Sequence, residues 1–562
     1  MASGCNRVFL GILFPCFMVY YTHGLTIDDG VIRQFPEDLR HENIHLSRSV
    51  VDGTSGSPWP LPQQMTSNGS QLYLSSFTFE FSYSMYSCDI LQNAFQRYQK
   101  LIFDGRAEYA KLRFQSTKIK ESGTLQLGGL VVKLDQPCED LPGLESNESY
   151  SLDVNNNGAV LSTSSIWGAL RGLETFSQLV YENEDGQQVI NMTSITDWPR
   201  FQYRGILIDT GRHFITVPLL LQNLDAMAYN KFNVFHWHIV DDQSFPYQSR
   251  VFPDMHTKGA FKPAYRHSYT QEDIALIIEY GRQRGIRVVA EFDSPGHSQS
   301  WGLSQKDLLT PCYSGGKPDG TFGPMNPMLN STYDFLKKFF AEIVSVFPDH
   351  YIHLGGDEVS FNCWKSNPDI TTFMQQMGFG DDYSKLESYY IERLLEIMQT
   401  LKAGYIVWQD VFDNKVQVSS DVIFHVWKGV YADELAKITK AGFQALLSAG
   451  WYLNHVIDPY SHPWKTYYHQ DPQDFEGTQQ QKDLVLGGEA CMWGEYADGT
   501  NVIQRLWPLA GTVGERLWSA ADVTDVKTAG PRLVEQRCRM VRRGIQAEPV
   551  VGPGYCLYEY SP

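Results

Sequence analysis

The stretch HYIHLGGDEVSF (350–361) decides how this chain is interpreted. Its apolar beginning predicts a short buried strand, and a Gly-Gly pair then ends that strand, because glycine permits backbone angles that other residues avoid. The adjacent acids Asp357 and Glu358 follow directly. Barrel and open-sheet enzymes keep their catalytic groups at the carboxyl ends of buried strands, so the stretch predicts an active site. A helix start whose acids complement the helix dipole is the simpler alternative.

Apolar runs of the same kind recur along the chain, most of them separated by a helical stretch. Because these runs do not alternate with polar residues, they indicate strands buried on both faces, as in a parallel sheet covered by helices. Eight such units predict an α/β fold, a closed (β/α)8 TIM barrel. A doubly wound sheet is the weaker alternative, since no glycine-rich phosphate loop follows the first run. The predicted strands are residues 203–209, 232–240, 286–292, 351–354, 405–408, 422–427, 444–448 and 484–489.

The 562 residues are too many for one ordinary core, and they divide into three predicted parts. Residues 1–24 combine a basic start with a short apolar run and predict a secretory signal peptide. Residues 25–197 mix short strands with a few helices and carry no evident catalytic cluster, so we expect a smaller α+β supporting domain. Within it, residues 72–83 alternate as one strand would. Residues 198–562 form the predicted barrel.

Charge and hydropathy exclude several classes of protein. The formal net charge is −18 and no basic run is present, so nucleic acid is not an expected partner. A hydrophobic content of 43% and an aromatic content of 13% are typical of a packed globular protein. After the signal peptide no segment reaches the roughly 18 uninterrupted apolar residues of a membrane helix, so we expect no integral membrane span.

Cysteines and glycosylation sequons both indicate an oxidising, secretory environment. Loss of the signal peptide leaves an odd number of cysteines, which predicts three disulfides and one free thiol. Six cysteines allow fifteen pairings, and proximity in sequence favours one of them, with Cys491 free. The favoured pairs are Cys88–Cys138, Cys312–Cys363 and Cys538–Cys556. The sequons are Asn68, Asn147, Asn191 and Asn330.

Side chains that carry chemistry collect just after the predicted strands, where a barrel enzyme needs them. They combine carboxylates with one arginine and several tryptophans. Indole faces pack on the apolar face of a pyranose ring, while carboxylate and guanidinium groups bind its hydroxyls, so the set predicts a sugar site. The residues are Asp209, Arg212, Asp241, Asp242, Asp293, His297, Asp357, Glu358, Trp408, Trp427, Trp451, Tyr452, Asn454, Glu489, Trp493 and Glu495.

Two rival functions stay open at this point. His236 and His238 lie on one face of a predicted strand and are candidate metal ligands, as in a metal-dependent amidohydrolase. Both precede the strand end and no complete ligand set is evident, so we expect inert core histidines, no metal and no cofactor. The second rival is a catalytically silent sugar-binding protein of the same fold. The intact Asp357-Glu358 pair favours an enzyme.

Six segments of the predicted barrel resemble the β-N-acetylhexosaminidases of glycoside hydrolase family 20, specifically the animal lysosomal type. WGALRGLETFSQL (167–179) is similar to the N-terminal domain of that family. The barrel segments are RGILIDTGRH (204–213), YNKFNVFHWHIVDDQSFP (229–246), GIRVVAEFDSPGH (285–297), HLGGDEV (353–359), FEGT (475–478) and GGEACMWGE (487–495).

The resemblance implies a retaining hydrolysis in which the 2-acetamido oxygen of the substrate attacks C1, instead of a protein nucleophile. Glu358 is then the general acid and base, and Asp357 holds the acetamido N–H. Further roles follow for groups around them. The implied relay behind Glu358 is Asp241 and His297, the acetamido pocket is Tyr452, Trp408, Trp427 and Trp493, and the hydroxyl-binding groups are Arg212 and Glu495.

The resemblance also implies an exo-acting enzyme that removes terminal GlcNAc or GalNAc from an oligosaccharide or glycolipid. It implies a homodimer, or a heterodimer with a related subunit, in the lysosome or outside the cell. The loop GGKPDGTFGP (315–324) and Asn454 are closer to the α-subunit type. His455 departs from that type, which has an arginine there for anionic substrates. Histidine is largely cationic below about pH 6, so we expect any anionic-substrate binding only in acid.

Overall fold

The computed structural model describes residues 56–103, 125–183, 186–262, 267–455, 461–550 and 554–556. The predicted signal peptide lies outside these residues. Within them, no helix is long and apolar enough to cross a membrane.

A seven-stranded mixed sheet with two helices forms the first part of the described chain. The strands are β1 Gln64–Tyr73, β2 Glu80–Met85, β3 Gly129–Leu134, β4 Tyr150–Asn155, β5 Gly158–Thr163, β6 Val180–Glu182 and β7 Gln188–Asp197, and the helices are α1 Asp89–Phe103 and α2 Ile166–Leu179. The sheet order is β1-β7-β4-β5-β3-β2, with β6 beside β7. Both helices share one apolar core with the sheet, as alternating strands and amphipathic helices require.

Eight parallel strands then close into a barrel, which confirms the predicted fold class. Each lies within, or within a few residues of, one of the predicted apolar runs. The strands are β8 Tyr203–Asp209, β9 Val234–His238, β10 Arg287–Glu291, β13 Tyr351–His353, β14 Gly404–Trp408, β15 Ile423–Val426, β16 Gln444–Leu447 and β17 Val485–Met492. A two-stranded hairpin of β11 Leu309–Ser314 and β12 Lys317–Met325 follows β10.

Helices cover the barrel from outside, and one buried core joins them to the strands. The longest, Tyr383–Leu401, turns an apolar face inward, which is why its sequence has helical periodicity. The helices are α3 Val217–Tyr229, α4 Asp254–Gly259, α5 Gln271–Arg282, α6 Gln299–Gly302, α7 Asn330–Val346, α8 Asn362–Ser366, α9 Pro368–Gln376, α10 Tyr383–Leu401, α11 Asp410–Asp413, α12 Tyr431–Lys440, α13 Pro463–His469, α14 Gln479–Asp483, α15 Val502–Leu506, α16 Leu509–Trp518 and α17 Val526–Arg542.

The predicted disulfides are present. Sulfur–sulfur bonds join Cys88 to Cys138, Cys312 to Cys363 and Cys538 to Cys556, and Cys491 is free and buried. Among the sequons, Asn68, Asn147 and Asn330 are exposed and Asn191 is half-buried; their glycosylation stays a prediction.

A buried ion cluster fastens the first sheet to the amino end of the barrel. Glu148, just before β4, contacts Arg171 of α2 at 2.6 Å and Arg204 of β8 at 2.5 Å. Its second oxygen accepts a hydrogen bond from Asn233 at 2.9 Å. Burial opposes the charge of Glu148, but the two guanidinium groups lower its pKa to about 2. The carboxylate is therefore retained at acidic pH and holds both guanidinium groups in place.

We expect Glu148→Gln to destabilise the fold by roughly 3 kcal/mol, because it leaves two buried guanidinium groups without their counter-charge. A carboxyl whose pKa is lowered stabilises the fold above its unfolded value of 4.5 and loses that contribution only as pH falls towards about 2. The loss in the variant should therefore persist at pH 5. Urea unfolding measures it, with Asp254→Asn, which removes an exposed pair with Lys258, as a control of small effect. Equal stability of the wild type and Glu148→Gln would contradict the role of the cluster.

Candidate active site

The carboxyl ends of the barrel strands gather most of the predicted site residues on one face of the barrel. Asp209 ends β8 and Trp408 ends β14, while Asp357 and Glu358 lie in the loop after β13. Tyr452, after β16, forms a bridge with Cys491 of β17. Parallel strands in a closed barrel place all their ends together, which is why positions far apart in sequence meet here.

The turn Gly355-Gly356 sets the position of the two acids. Its glycines have φ angles of 69° and 93°, a region that other residues rarely adopt. A Cβ atom on Gly355 would lie 1.7 Å from Oδ1 of Asp293, so no larger residue fits. The amide of Gly356 donates to the same oxygen at 2.8 Å. No helix begins at the acids, since the next one, α8, starts at Asn362, and the helix-start alternative is therefore wrong.

Asp357 is buried beside a second acid, Asp293, which sequence reasoning noticed but gave no role. Burial raises the pKa of Asp357 to about 6, helped by Glu291 and opposed by His297. Burial and the charge of Asp357 also raise the pKa of Asp293 well above its usual range. The protonated form of Asp293 is therefore favoured, and Asp293 lowers the pKa of Asp357, which can then carry the negative charge.

Glu358 has the opposite environment. Its side chain is 56% exposed, and its Oε2 lies 3.4 Å from Nε2 of His297. The other ring nitrogen of His297 lies 3.3 Å from Oδ1 of Asp241, which is fully buried. The hydrogen bond from His297 lowers the pKa of Glu358 below its usual value. Two acids adjacent in sequence thus differ in burial, partners and proton affinity, and this suits them to different tasks.

Four aromatic rings cluster near the turn that carries Asp357: the amide of Trp408 donates to the carbonyl of Gly355 at 3.0 Å, and the charge of Asp357 acts on Tyr452. Trp408 and Trp493 are buried with Cys491 in one cluster, and Trp427 and Tyr452 pack against it. The rings of Trp427 and Tyr452 are nearly parallel, at 9°, with centroids 6.5 Å apart. Burial raises the pKa of Tyr452 well above its usual range, so its hydroxyl remains a donor. The cluster forms an apolar wall with one phenol O–H.

Two residues of the predicted strand-end set lie elsewhere. Trp451 is fully buried in the main core and donates to the carbonyl of Tyr467 at 3.0 Å, so its expected place in the pocket is wrong. Glu489 points into the barrel, where it contacts His236 at 2.8 Å. Both predictions fail for the same reason. The sequence indicates that a residue lies within or after a strand, but it does not determine the direction of the side chain.

Asp410 and Lys428, which sequence reasoning missed, hold Trp427 in place. The indole N–H of Trp427 donates to Oδ2 of Asp410 at 2.8 Å. The ammonium of Lys428 contacts the other oxygen of Asp410 at 2.5 Å and lies 4.9 Å from the centre of the Trp427 ring. The only signal in the sequence was that both follow predicted strands, at positions adjacent to, or close to, the pocket tryptophans.

Arg212 is fixed at the rim by carboxylates. Its Nη1 lies 2.8 Å from Asp209 and 3.1 Å from Asp241, and its Nε lies 3.7 Å from Glu495. The guanidinium also lies 5.2 Å from the centre of the Trp493 ring. Only 15% of the Arg212 side chain is exposed, whereas Glu495 is exposed at 46%. The pair presents one held cation and one accessible carboxylate to a ligand.

Asn454 and His455 complete the set of predicted positions. Asn454 is half-buried, and its Oδ1 lacks a hydrogen-bond partner among the described residues. The same holds for the indole N–H of Trp493. Buried polar atoms of this kind normally have partners, so a polar ligand would satisfy them. His455 is exposed, with its ring 5.6 Å from that of Tyr452.

Three groups in the described chain have the chemistry to hold a cation: His236, His353 and His425; Asp241, Asp242 and His297; and Asp293, His297 and Asp357. The last two share the site residues already described. His236 and His238, the pair on which the amidohydrolase interpretation rests, both contact Oε2 of Glu291, at 3.0 and 2.6 Å. Both ring nitrogens of His238 contact carboxylates, Glu291 at 2.6 Å and Asp241 at 2.8 Å, so none is left for a metal. The absence of a cofactor stays a prediction.

Known proteins of two mammals match nearly the whole chain. It is 53% identical over 509 residues to the beta-hexosaminidase subunit beta of Felis catus, covering 90% of this chain and 94% of that protein. It is 51% identical over 526 residues to the beta-hexosaminidase subunit alpha of Bos taurus, covering 92% and 98%. These identities do not separate the two subunit types, so the closer likeness to the α type stays a prediction.

Solved structures share the fold. The chitobiase of Flavobacterium johnsoniae superposes with a TM-score of 0.76 at 30% identity, covering 88% of this chain and 74% of that one. The family model for the glycosyl hydrolase family 20 catalytic domain matches residues 201–521, and a beta-acetyl hexosaminidase-like model matches residues 58–179. These matches confirm the resemblance found in the motifs. The chain belongs to glycosyl hydrolase family 20.

Proposed function

We propose that the chain is an exo-acting β-N-acetylhexosaminidase that removes terminal non-reducing GlcNAc or GalNAc from glycoconjugates, with retention and with help from the substrate's acetamido group. The observation that carries this proposal is the pair Asp357-Glu358. One acid is buried beside the aromatic pocket, and the other is exposed beside His297. Adjacent residues are poorly placed to flank a glycosidic bond as acid and nucleophile, whereas they suit a reaction in which the substrate supplies the nucleophile.

In the first step the acetamido oxygen attacks C1 and the glycosidic bond breaks, while Glu358 gives its proton to the leaving oxygen. Asp357 accepts the acetamido N–H and stabilises the positive charge of the oxazolinium ion. Tyr452 donates to the acetamido oxygen, and the tryptophan walls fix the methyl group. In the second step Glu358 takes a proton from water, which attacks C1 from the opposite face to the acetamido oxygen and reopens the ring.

Arg212 and Glu495 bind hydroxyls of the terminal sugar and close the pocket beyond it, which makes the cut exo-acting. Asn454 adds a hydrogen-bonding group at the same rim. Residues 25–197 act as the supporting domain of a catalytic domain formed by residues 198–562. The enzyme acts in the lysosome or after secretion, as a homodimer or as a heterodimer with a related subunit. Its relatives are themselves named as subunits, which supports this assembly.

The anomer released first tests the proposal. Proton NMR of the early reaction with an aryl β-N-acetylglucosaminide should show the β-anomer of the free sugar, because two inversions at C1 give retention. Release of the α-anomer first would contradict the mechanism. No hydrolysis at all would favour the alternative of a catalytically silent sugar-binding protein. The argument against that alternative is that both acids and the aromatic residues of the pocket are intact.

We expect kcat/KM to have a bell-shaped dependence on pH, with an optimum that shifts to higher pH when His297 is replaced. The reaction needs Glu358 protonated, which low pH favours, and Asp357 ionised, which is favoured as pH rises past about 6. Because His297 lowers the pKa of Glu358, His297→Asn should raise that pKa and shift the optimum of kcat/KM to higher pH, together with a loss of rate. A profile that keeps its optimum would separate His297 from the titration of Glu358.

The identity of residue 455 predicts a pH-dependent preference for anionic sugars. The exposed imidazole of His455 lies beside Tyr452, and the expectation from the sequence is that a histidine at this position binds anionic sugars only in acid. The rate ratio of a 6-sulfated to a plain aryl β-N-acetylglucosaminide should therefore fall as pH rises, and His455→Asn should flatten that dependence. A ratio that is constant with pH in the wild type would reject the role.

A further inference from the structure

Glu291, at the end of β10, lies inside the barrel beneath the active site and takes no part in the roles described so far. It is completely buried. Register pairs it with His238 of β9 and His353 of β13. Burying a carboxylate destabilises the fold unless several hydrogen-bond donors compensate its charge. The donors that contact Glu291 therefore indicate which groups it positions.

One oxygen of Glu291 holds the wall of the pocket. The indole N–H of Trp408 donates to Oε1 at 2.8 Å. Trp408 in turn lies against Trp493, with ring centroids 5.9 Å apart, and is 1% exposed. The ring of Trp408 can rotate about its side-chain bonds only if it gives up this hydrogen bond. Glu291 therefore fixes the face that the acetamido pocket presents.

The other oxygen leads to the general acid. Oε2 contacts Nδ1 of His238 at 2.6 Å, and Nε2 of His238 contacts Oδ2 of Asp241 at 2.8 Å. Since both ring nitrogens of His238 meet carboxylates, both must carry protons and donate. Asp241 then holds His297 at 3.3 Å with one oxygen and Arg212 at 3.1 Å with the other.

We propose that Glu291 is a positioning residue of the hydrolytic site, which holds the acetamido pocket through Trp408 and the acid–base and sugar-binding groups through His238 and Asp241. The proposal rests on the proposed function of the site. It joins two halves of the site that come from different strands, β9 and β14, because each oxygen of its carboxylate is hydrogen-bonded to one of them.

The charges of the surrounding groups agree with this arrangement. Despite burial, Glu291 and its neighbours raise the pKa of His238 well above its usual range, and the pKa of Glu291 lies well below its own. The titratable groups that face Glu291 come from every strand packed against it. They are His236 and His238 of β9, His353 of β13, His425 of β15 and Glu489 of β17, with Asp293 and Asp357 above.

Glu489 offers a matched control for Glu291. It is equally buried in the same barrel interior and also contacts His236, at 2.8 Å, and the hydroxyl of Tyr203, at 3.1 Å. It contacts neither Trp408 nor His238. Glu291→Gln and Glu489→Gln therefore remove the same charge from the same core, but only the first disconnects the two halves of the site.

The experiment compares full-length wild type, Glu291→Gln and Glu489→Gln in three measurements per folded enzyme: kcat/KM against pH, the affinity for free N-acetylglucosamine by protein fluorescence, and the melting temperature. Both variants should melt lower. Glu291→Gln alone should lose about 10- to 100-fold in kcat/KM, the loss typical of outer partners of an active group, with a displaced pH optimum and weaker binding of the sugar. Equal profiles and affinities for the two variants, or full activity of Glu291→Gln, would overturn the proposal.

Two further variants separate the branches and serve if Glu291→Gln does not fold. His238→Gln should displace the pH optimum and also weaken sugar binding, since His238 holds Asp241, which contacts both His297 and Arg212. Trp408→Phe, which loses only the N–H and part of the ring, should weaken sugar binding and leave the pH optimum in place. Identical effects of both would contradict a two-branched role. Inactivity of the wild type on every aryl N-acetylglucosaminide would instead sink the proposed function. The contact of Glu291 with His238 would then be tested by NMR. Glu291→Gln should abolish the low-field proton resonance of the His238 imidazole, and Glu489→Gln should retain it.

Discussion

Glu358→Gln is expected to lower kcat by about two to four orders of magnitude while leaving the fold intact, because the amide neither gives nor takes a proton at the rate required. The side chain is half exposed and its described contact is with His297, so the isosteric change costs little stability. The decrease in kcat should be largest for substrates with poor leaving groups, because their departure depends most on protonation. Aryl glycosides with phenols of graded acidity measure this dependence.

A chemical rescue distinguishes the two tasks of Glu358. Azide attacks the oxazolinium ion without needing a base, so it should restore part of the rate for good leaving groups and yield a β-glycosyl azide. Glu396→Gln, on the exposed face of α10, is the matched control and should behave as the wild type. Near-normal turnover of Glu358→Gln on every leaving group would remove Glu358 from the acid–base role.

Asp357→Asn is expected to lower kcat by about two to three orders of magnitude through loss of the charge that opposes the developing cation. Asp357 is buried against Asp293, so its charge acts in a medium of low polarity, where it is worth more than in water. The neutral amide keeps the shape and part of the hydrogen bonding. The effect should therefore fall on the step in which the acetamido oxygen attacks, with little change in KM.

A series of substrates with fluorinated acetamido groups tests that assignment. Fluorine weakens the acetamido oxygen as a nucleophile, so wild-type rates should fall steeply along the series. In Asp357→Asn the attack of the acetamido oxygen is already impaired. The slope of log kcat against the number of fluorine atoms should therefore differ from that of the wild type. The same proportional loss on every member of the series, and on sugars without an acetamido group, would show that Asp357 has only a general structural role.

The barrel was predictable because its signal is repeated. Each strand appears as an apolar run, and the turn after β13 carries a glycine pair whose necessity is visible in the clash that a Cβ atom on Gly355 would make. In the first sheet the same reasoning failed at residues 72–83. The alternation continues across a turn, in which the carbonyl of Ser75 accepts from Thr78 and Phe79, so one predicted strand is two.

Side-chain direction was the part that sequence could not supply. Trp451 and Trp493 both follow barrel strands, but only Trp493 meets the pocket, while Trp451 finds a hydrogen-bond acceptor in the core. The role of Glu291 could not be predicted from the sequence for a related reason. A polar residue inside an apolar run has no periodicity to mark its role, and its four polar neighbours come from three other strands. Only the closed barrel brings them together.

The acetamido dependence of hydrolysis tests the central claim most directly. The measurement compares an aryl β-N-acetylglucosaminide with the matching aryl β-glucoside at pH 5, using the same leaving group and enzyme concentration. The site described here predicts rapid cleavage of the first and almost none of the second, since the glucoside lacks the group that attacks C1 and that Asp357 and Tyr452 bind. Comparable cleavage of both would mean that the protein supplies the nucleophile, and the roles of Asp357, Glu358 and Tyr452 would be contradicted.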